Sequence, residues 1–132
     1  MSKIKKILLG LFIFIILVII ISIAFNQSGS NQNTTTNIAT ISIGDTVYLF
    51  TSVDQDVLIA VTRDDLTEII KLAHAGDTLG MTQMVLQGRA YFVKPNTKAL
   101  VIDSEVAVRK VRIYEGDMIG ETGWVPFEFC KK

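Results

Sequence analysis

Residues 120–129 read GETGWVPFEF, and this stretch predicts a strand and its end near the carboxyl terminus of the chain. Gly120 and Gly123 have no Cβ, which permits a tight approach of two crossing strands. Pro126 has no N–H to donate, so it predicts the end of a β-ladder. Upstream, Val106–Tyr114 alternates with charge on both faces, which is typical of a twisted strand partly buried on each side. The last quarter of the chain is therefore expected to be β structure.

Shorter strand patterns precede this region. Ile41–Ile43 and Thr46–Phe50 are expected to be two short strands on either side of a Gly44-Asp45 turn. Val57–Val61 is a continuous apolar run of strand length. Farther on, 90–94 and 98–103 are two apolar runs around the turn signal Pro-Asn-Thr, so we expect them to pair as a hairpin.

Two helices are predicted between these strand patterns. Thr62 caps the first helix, and Asp65 three residues later completes a capping-box pattern. The apolar residues that follow recur at i, i+3, i+4 and i+7 on one helical face: Leu66, Ile69, Ile70 and Ala73. Gly76 ends this helix, and Leu79–Gln87 predicts a second, ended by Gly88. Five or six short strands with a helical insertion indicate a small, mainly β barrel over residues 38–132.

The tail of the chain resembles the end of SH3 domains, in which a G-x-x-G strand, an aliphatic residue and Pro lead into a 3₁₀ turn. Val111–Gly116 followed by Gly120–Pro126 is similar to the distal hairpin of bacterial SH3-like domains, and Ile43–Val47 resembles their opening strand. The helical stretch 63–88 departs from the family and would be an insertion into a barrel loop. The resemblance implies an SH3-like barrel that binds a partner and is not an enzyme.

The resemblance also indicates ligand-binding residues. In SH3-like barrels the residue at the position of Trp124 lies near the ligand face, so Trp124 is a candidate aromatic contact, with Pro126 beside it. The alternative is that Trp124 packs into the corner of the barrel. Tyr48, Tyr91 and Tyr114 are candidates for the same surface, with a half-buried position on a strand as the alternative. The chain has no acidic loop and no Trp pair of the eukaryotic type, which argues against proline-rich ligands.

An apolar run near the amino terminus predicts a membrane anchor. Seventeen of the nineteen residues in 7–25 are apolar, with Gly10 and Ser22 as the exceptions. Nineteen helical residues span ~28 Å, close to the ~30 Å hydrocarbon core of a bilayer. The segment has no polar face, so a buried core helix would need cover on all sides. We therefore expect a transmembrane helix at 7–25.

The flanking residues predict how the chain is oriented. Residues 1–6 form a basic tail with three lysines, which places the amino terminus in the cytoplasm and the rest outside. Small residues at 22–24 offer a signal-peptidase site before Phe25, but the apolar run exceeds the usual ~7–15 residues of a signal peptide. We expect an uncleaved, single-pass signal anchor in a bacterial cell membrane, with cleavage and secretion as the alternative. Residues 26–37 are uncharged and polar, as in a flexible linker.

The charge pattern bears on the partners. The chain is neutral overall, with 13 basic and 13 acidic residues; residues 1–6 carry +3 and residues 38–132 carry ten basic against thirteen acidic groups, or −3. Nucleic-acid binding needs a basic surface, so an acidic domain argues against it. The expected partners are the membrane and an envelope protein or peptidoglycan. The sequence predicts no cofactor.

Candidate catalytic and metal-binding residues are few. The single His74 is expected to be solvated at a helix end, and the single Cys130 to pack as a small apolar side chain. An intermolecular disulfide is the alternative for Cys130, and a small envelope hydrolase using this thiol or an acid pair is the rival function. The pairs Asp54/Asp56 and Asp64/Asp65 occupy a loop and a helix start, where acids are expected, with a weak Ca²⁺ site as the alternative. We therefore predict no catalytic residue and no metal site.

Overall fold

The computed structural model describes residues 40–132, together with Lys3 and Lys5. The predicted transmembrane helix at 7–25 and the predicted linker at 26–37 lie outside the described residues, as does most of the basic tail at 1–6. Among the residues that are described, no helix is both long enough and apolar enough to cross a bilayer.

Within residues 40–132 the chain is mainly β, with two helices inserted after the second strand. In chain order the elements are β1 (Thr46–Leu49), β2 (Val57–Ala60), α1 (Arg63–His74), α2 (Thr78–Leu86), β3 (Ala90–Val93), β4 (Thr97–Glu105), β5 (Val108–Ile113), β6 (Thr122–Pro126) and β7 (Cys130–Lys131). A 3₁₀ turn at Phe127–Phe129 separates β6 from β7. The prediction of a small, mainly β domain with a helical insertion is therefore confirmed.

The strands form one antiparallel sheet in the order β3-β2-β6-β5-β4-β1-β7. The strands β4, β5 and β6 follow one another in the chain and pair in that order, which forms a β-meander. The first strand lies between β4 and the last strand, β7. At the other side of the meander, β6 pairs with β2 where Trp124 lies opposite Ala60. The first and last strands of the domain, β1 and β7, are therefore adjacent in the sheet.

The predicted hairpin between 90–94 and 98–103 is wrong. The turn itself forms, because the N–H and Oγ1 of Thr97 both donate to the Lys94 carbonyl, at 3.3 and 2.6 Å. However, β3 pairs with β2, whereas β4 pairs with β1 and β5. The N–H of Asn96 donates to the Leu49 carbonyl at 2.6 Å, which fastens the turn to the end of β1. A turn signal predicts a change of direction but does not determine which strand becomes the partner.

Two strand limits also differ from the prediction. Ile41–Ile43 is not a strand, because Ser42 and Asp45 close a turn: the Ser42 N–H donates to Asp45 Oδ2 at 2.8 Å. The strand predicted from Val106 begins only at Val108, since Ala107 has a left-handed φ of 63° and forms the turn after β4. The predicted partial burial of this strand on both sides is confirmed, with Val108, Val111 and Ile113 buried.

The helices follow the local signals in the sequence. Thr62 Oγ1 accepts the Asp65 N–H at 3.0 Å, and Asp65 Oδ2 accepts the Thr62 N–H at 3.2 Å, which is the predicted capping box. Along α1, the predicted apolar face is buried at Leu66, Ile69 and Ala73, and Ile70 is half-buried. Gly76 and Gly88 follow the two helices with left-handed φ values of 66° and 73°.

The two glycines of the tail have different roles. A Cβ on Gly123 would collide with the Ile59 side chain and lie 2.5 Å from the Ala60 carbonyl oxygen, so β6 approaches β2 as closely as the sequence predicts. Gly120 has open space around it and instead has a left-handed φ of 87°. Its contribution is therefore a backbone conformation that other residues rarely adopt.

The strands of the sheet differ in how much of each strand is buried. All four residues of β2 are buried, and α1 packs against β2 and β6. In β1, exposed and buried side chains alternate, with Val47 and Leu49 in the core and Tyr48 outside. The strand β1 and the first half of β4 therefore contribute one face to the core and leave the other more open to solvent, whereas β5 has buried residues on both faces.

Candidate functional site

A row of exposed side chains crosses four neighbouring strands. Lys131 on β7 lies opposite Tyr48 on β1, and Tyr48 lies opposite Lys98 on β4. Tyr114, directly after β5, donates its N–H to the Lys98 carbonyl at 2.9 Å, which places it next to Lys98. Residues directly opposed across a sheet project from the same face, and adjacent strands are ~4.8 Å apart. We call these four residues the cross-strand row.

The row is accessible and alternates a cation with an aromatic ring. Tyr48 is 41% exposed and Tyr114 is 43% exposed, and both lysines are exposed. Lys131 also places its Nζ 5.1 Å from the centroid of the Phe50 ring, within the range of a cation–π contact. The row thus presents two tyrosines and two ammonium groups to solvent.

A second row lies beside the first on the same face. Thr46, Leu100, Arg112 and Thr122 are paired in turn across β1, β4, β5 and β6. Arg112 is exposed and adds a third cation near the tyrosines. One step farther along β5, Lys110 is half-buried and opposite Trp124.

Trp124 belongs to the same sheet face as the cross-strand row but is buried. It is 6% exposed, and the Lys110 Nζ lies 6.0 Å from the centroid of its ring. Lys110 and Tyr114 are four positions apart in the chain, which is ~13 Å in an extended strand, so Trp124 lies well away from Tyr114. Trp124 therefore adopts the packed position that the sequence left open as an alternative. Pro126 is half-buried at the far end of β6, opposite Val108.

Of the five candidate ligand-binding residues, the fold brings two together. Tyr48 and Tyr114 flank Lys98, whereas Trp124 and Pro126 lie elsewhere on β6. Sequence reasoning missed Lys98 and Lys131, because their position beside the tyrosines depends on the register of strands far apart in the chain. No local pattern in the sequence could have indicated it.

Comparisons of the chain with family models, with curated proteins and with solved structures found no match. The geometry of the exposed face is thus the basis on which a function can be assigned.

An open groove adjoins the cross-strand row. It has a volume of about 390 Å³ and lies between the turn at 94–97 and the turn at 115–118. Glu115 joins the two features, because its Oε1 accepts the Lys98 N–H at 2.9 Å. The lining carries the acids Glu115 and Asp117 and the exposed Lys94, while Phe92 and Met118 contribute apolar surface. The cationic row therefore has a groove of mixed charge on one side, with two acids and one lysine.

The Cys130 thiol is poorly suited to nucleophilic chemistry. It is buried, and this burial raises its pKa to about 12; the nearby Arg109 only partly opposes the shift. Since the thiolate is the reactive form, the thiol is protonated and unreactive at neutral pH. His74 lies exposed in the last turn of α1, as predicted, with Nδ1 2.9 Å from the Ile70 carbonyl oxygen.

Of the paired acids, Asp65 has a structural role. Asp65 accepts hydrogen bonds from Thr62 and from Arg89, while Asp64 is exposed in the same turn of α1. Over residues 40–132, no three His, Cys, Asp or Glu side chains are close enough to hold a metal ion. Tyr91 is a further candidate from the sequence, and its hydroxyl is buried beside Gly123, where burial raises its pKa.

Proposed function

We propose that the protein is a single-pass membrane protein that presents a non-enzymatic, SH3-like binding module outside the cytoplasm. Its partner is an envelope protein or a cell-wall polymer such as peptidoglycan. The observation that carries this proposal is the cross-strand row, in which Tyr48 and Tyr114 flank Lys98 on an open sheet face. Within residues 40–132, neither lysine of the row forms a salt bridge, so both remain available to a partner.

The strand order supports the SH3-like part of the proposal. A meander of β4, β5 and β6 is followed by Pro126, a 3₁₀ turn and a last strand, which pairs with β1. The 3₁₀ turn at Phe127–Phe129 occurs where the resemblance to SH3 domains implies one. The helices α1 and α2 occupy the loop between β2 and β3, at the residues that depart from the family.

The amino-terminal sequence supports the location. The apolar run at 7–25 has the length of a transmembrane helix, and the lysines before it favour a cytoplasmic amino terminus. The binding face would then be tethered close to the outer surface of the membrane. The alternative, a secreted cell-wall-binding protein, requires cleavage before Phe25. Intact mass measurement of the mature chain distinguishes the two, because cleavage removes residues 1–24.

The rival function as a small hydrolase receives no support from Cys130. A thiol with a pKa near 12 is almost entirely protonated at neutral pH, so it would need a nearby base to become a nucleophile. Of its neighbours, Arg109 is a cation and cannot accept the proton, and the negative charge of Glu128 raises the pKa of the thiol, which disfavours the thiolate.

A site-specific crosslinking experiment tests the binding face. The photoreactive amino acid p-benzoylphenylalanine replaces Tyr48 or Tyr114 in the full-length protein, and intact cells are irradiated. We expect adducts to an envelope protein or to wall material at both positions. The matched control is Leu79 on α2, which is 68% exposed. This helix contacts β3, which is at the opposite end of the strand order from β7 and β1. Equal adducts at Leu79, or none at either tyrosine, would refute the proposed face.

The topology is tested separately by protease treatment of intact spheroplasts. Tags are placed at both ends of the chain. The carboxyl-terminal tag is expected to be digested while the amino-terminal tag is protected. Protection of the carboxyl-terminal tag would place residues 38–132 in the cytoplasm and contradict the proposed location.

A further inference from the structure

The face that carries the cross-strand row gathers positive charge on an acidic domain. Residues 38–132 have ten basic and thirteen acidic side chains. Four of the basic residues belong to this one face: Lys98, Lys110, Arg112 and Lys131. Within the described part of the chain none of the four has a salt-bridge partner, whereas three cations elsewhere are paired with carboxylates.

The acidic residues near this face lie at its borders. Asp103 is opposite Lys110, beyond a shift of register in β4, and its Oδ1 accepts the Ser104 N–H. Glu105, farther along β4, is paired with Arg63 at 3.0 Å. Glu115 lies beside the open groove, and its Oε1 accepts the Lys98 N–H at 2.9 Å, so this carboxylate lies next to the row. The four cations of the face therefore have no salt-bridge partner within residues 40–132 and would attract an anion.

Besides the negative charge, the two tyrosines place a second requirement on the ligand. Tyr48 and Tyr114 lie on either side of the β4 strand, so their backbones are ~10 Å apart, twice the spacing between strands. A tyrosine ring offers an apolar body with a polar tip. Partly exposed rings at this spacing, with an ammonium group between them, suit an extended ligand that alternates apolar and charged groups.

We infer that the ligand of this face is an anionic polysaccharide, a chain of sugar rings that carry carboxylate or phosphate groups. The apolar faces of the sugars lie against Tyr48 and Tyr114, and the anionic groups contact Lys98 and Lys131. A protein partner would be expected to insert apolar anchors into pockets, whereas the row itself consists of exposed strand residues with charged and aromatic side chains. The inference rests on the proposed function, because it names the ligand class of the same face.

The inference is tested with the full-length protein in nanodiscs of zwitterionic lipid. The probe is an oligogalacturonate of one length, in which every sugar carries a carboxylate. Its methyl ester keeps the rings and removes the charge, and poly-L-glutamate keeps the charge and removes the rings. We expect oligogalacturonate to bind at least tenfold more tightly than either control polymer. The affinity should fall with added salt, because the lysines are exposed.

Two sets of variants assign the binding to the row. Lys98→Glu should reduce the affinity for oligogalacturonate at least tenfold. Lys71→Glu makes the same charge change on α1, where the lysine is exposed and unpaired within residues 40–132, and should change it less than threefold. The double variant Tyr48→Ala/Tyr114→Ala should reduce oligogalacturonate binding about tenfold and leave weak poly-L-glutamate binding unchanged.

Each contrary result has a distinct meaning. Equal binding of poly-L-glutamate would show an acidic protein as the ligand class, and equal binding of single-stranded poly(dT) would show a general polyanion site. Either result overturns the polysaccharide inference, as does the absence of binding by the wild type or an equal effect of Lys98→Glu and Lys71→Glu. If crosslinks at Tyr48 still reach an envelope component, the proposed function stands and only the ligand class is wrong. If the crosslinks are absent as well, both fail.

Discussion

Arg89 donates from its Nε to Asp65 Oδ1 at 2.7 Å, which ties the first turn of α1 to the start of β3. The same carboxylate accepts the Thr62 N–H through Oδ2. One buried acid therefore caps the helix and also fixes the chain where it returns from the helical insertion to the sheet. Its side chain is only 9% exposed, whereas that of Arg89 is 45% exposed.

The first prediction concerns this shared carboxylate. Asp65→Ala should lower the free energy of unfolding by about 2 kcal/mol, because it removes a helix cap and a charged hydrogen bond together. Asp64→Ala is the matched control, since this neighbour is exposed and contributes only through the helix dipole, about 0.5 kcal/mol. Urea titration of the full-length protein in detergent measures both, with the fluorescence of the single Trp124 as the signal. Equal effects of the two substitutions would contradict the bridging role.

The second prediction concerns the close approach of β6 to β2. Gly123→Ala should destabilise the domain by roughly 3 kcal/mol, because the added methyl group has no space beside Ile59 and the Ala60 carbonyl. Gly116→Ala is the control: it has a left-handed φ of 83° but open space, so strain alone should cost about 1 kcal/mol. The same urea titration applies, and a cost for Gly123→Ala no greater than that of the control would argue against the close contact.

The third prediction uses the buried thiol. Since the pKa of Cys130 is raised from 9.0 to about 12, its thiolate fraction at pH 8 should be roughly 1,000-fold below that of a free cysteine. We expect disulfide-exchange reagents to modify the native protein at least about 100-fold more slowly than the urea-unfolded chain. The chain has one cysteine, so the measured rate belongs to this residue. Rapid modification of the native protein would revive the thiol-dependent hydrolase.

A pH dependence follows from the same shift. Because the pKa is higher in the folded state, the stability contributed by the protonated thiol is present below pH 9 and is lost as the pH rises toward 12. The stability advantage of the wild type over Cys130→Ala should therefore decrease by about 1 kcal/mol for each pH unit above 9. Parallel stability curves for the two proteins would contradict the assigned pKa.

The fourth prediction concerns the contact between the two ends of the domain. Lys132 Nζ lies 2.8 Å from Asp45 Oδ2, and this contact, together with the Ser42 N–H, lowers the pKa of Asp45 below 3.8. Since the folded-state pKa is depressed, the associated stability is present above pH 3.8 and is lost as the pH falls through the lowered value. In Lys132→Met, an NMR titration of the Asp45 carboxyl should show its pKa moving back toward 3.8. No change would mean that the ion pair does not form in solution.

Local features of the sequence were sufficient for much of the secondary structure. The capping box of Thr62 and Asp65 and the apolar periodicity of α1 act over four to seven residues, so the helix could be predicted without knowledge of its neighbours. Gly123 was likewise predicted to permit a close strand contact. The turn at 94–97 was also correct, but its flanking strands were assigned to each other because the sequence carries no signal for their true partners.

In the candidate site, too, some features were determined by the sequence and others only by the tertiary structure. That Tyr48 belongs to a strand, that Tyr114 closes a strand pattern, and that the domain is acidic overall, was determined by the sequence alone. That they flank Lys98, with Lys131 beside them, and that Trp124 is buried, was decided only by the tertiary structure. The physical reason is that strand register depends on pairing between segments about 50 residues apart, and a shift of one residue would turn every side chain of a strand to the other face.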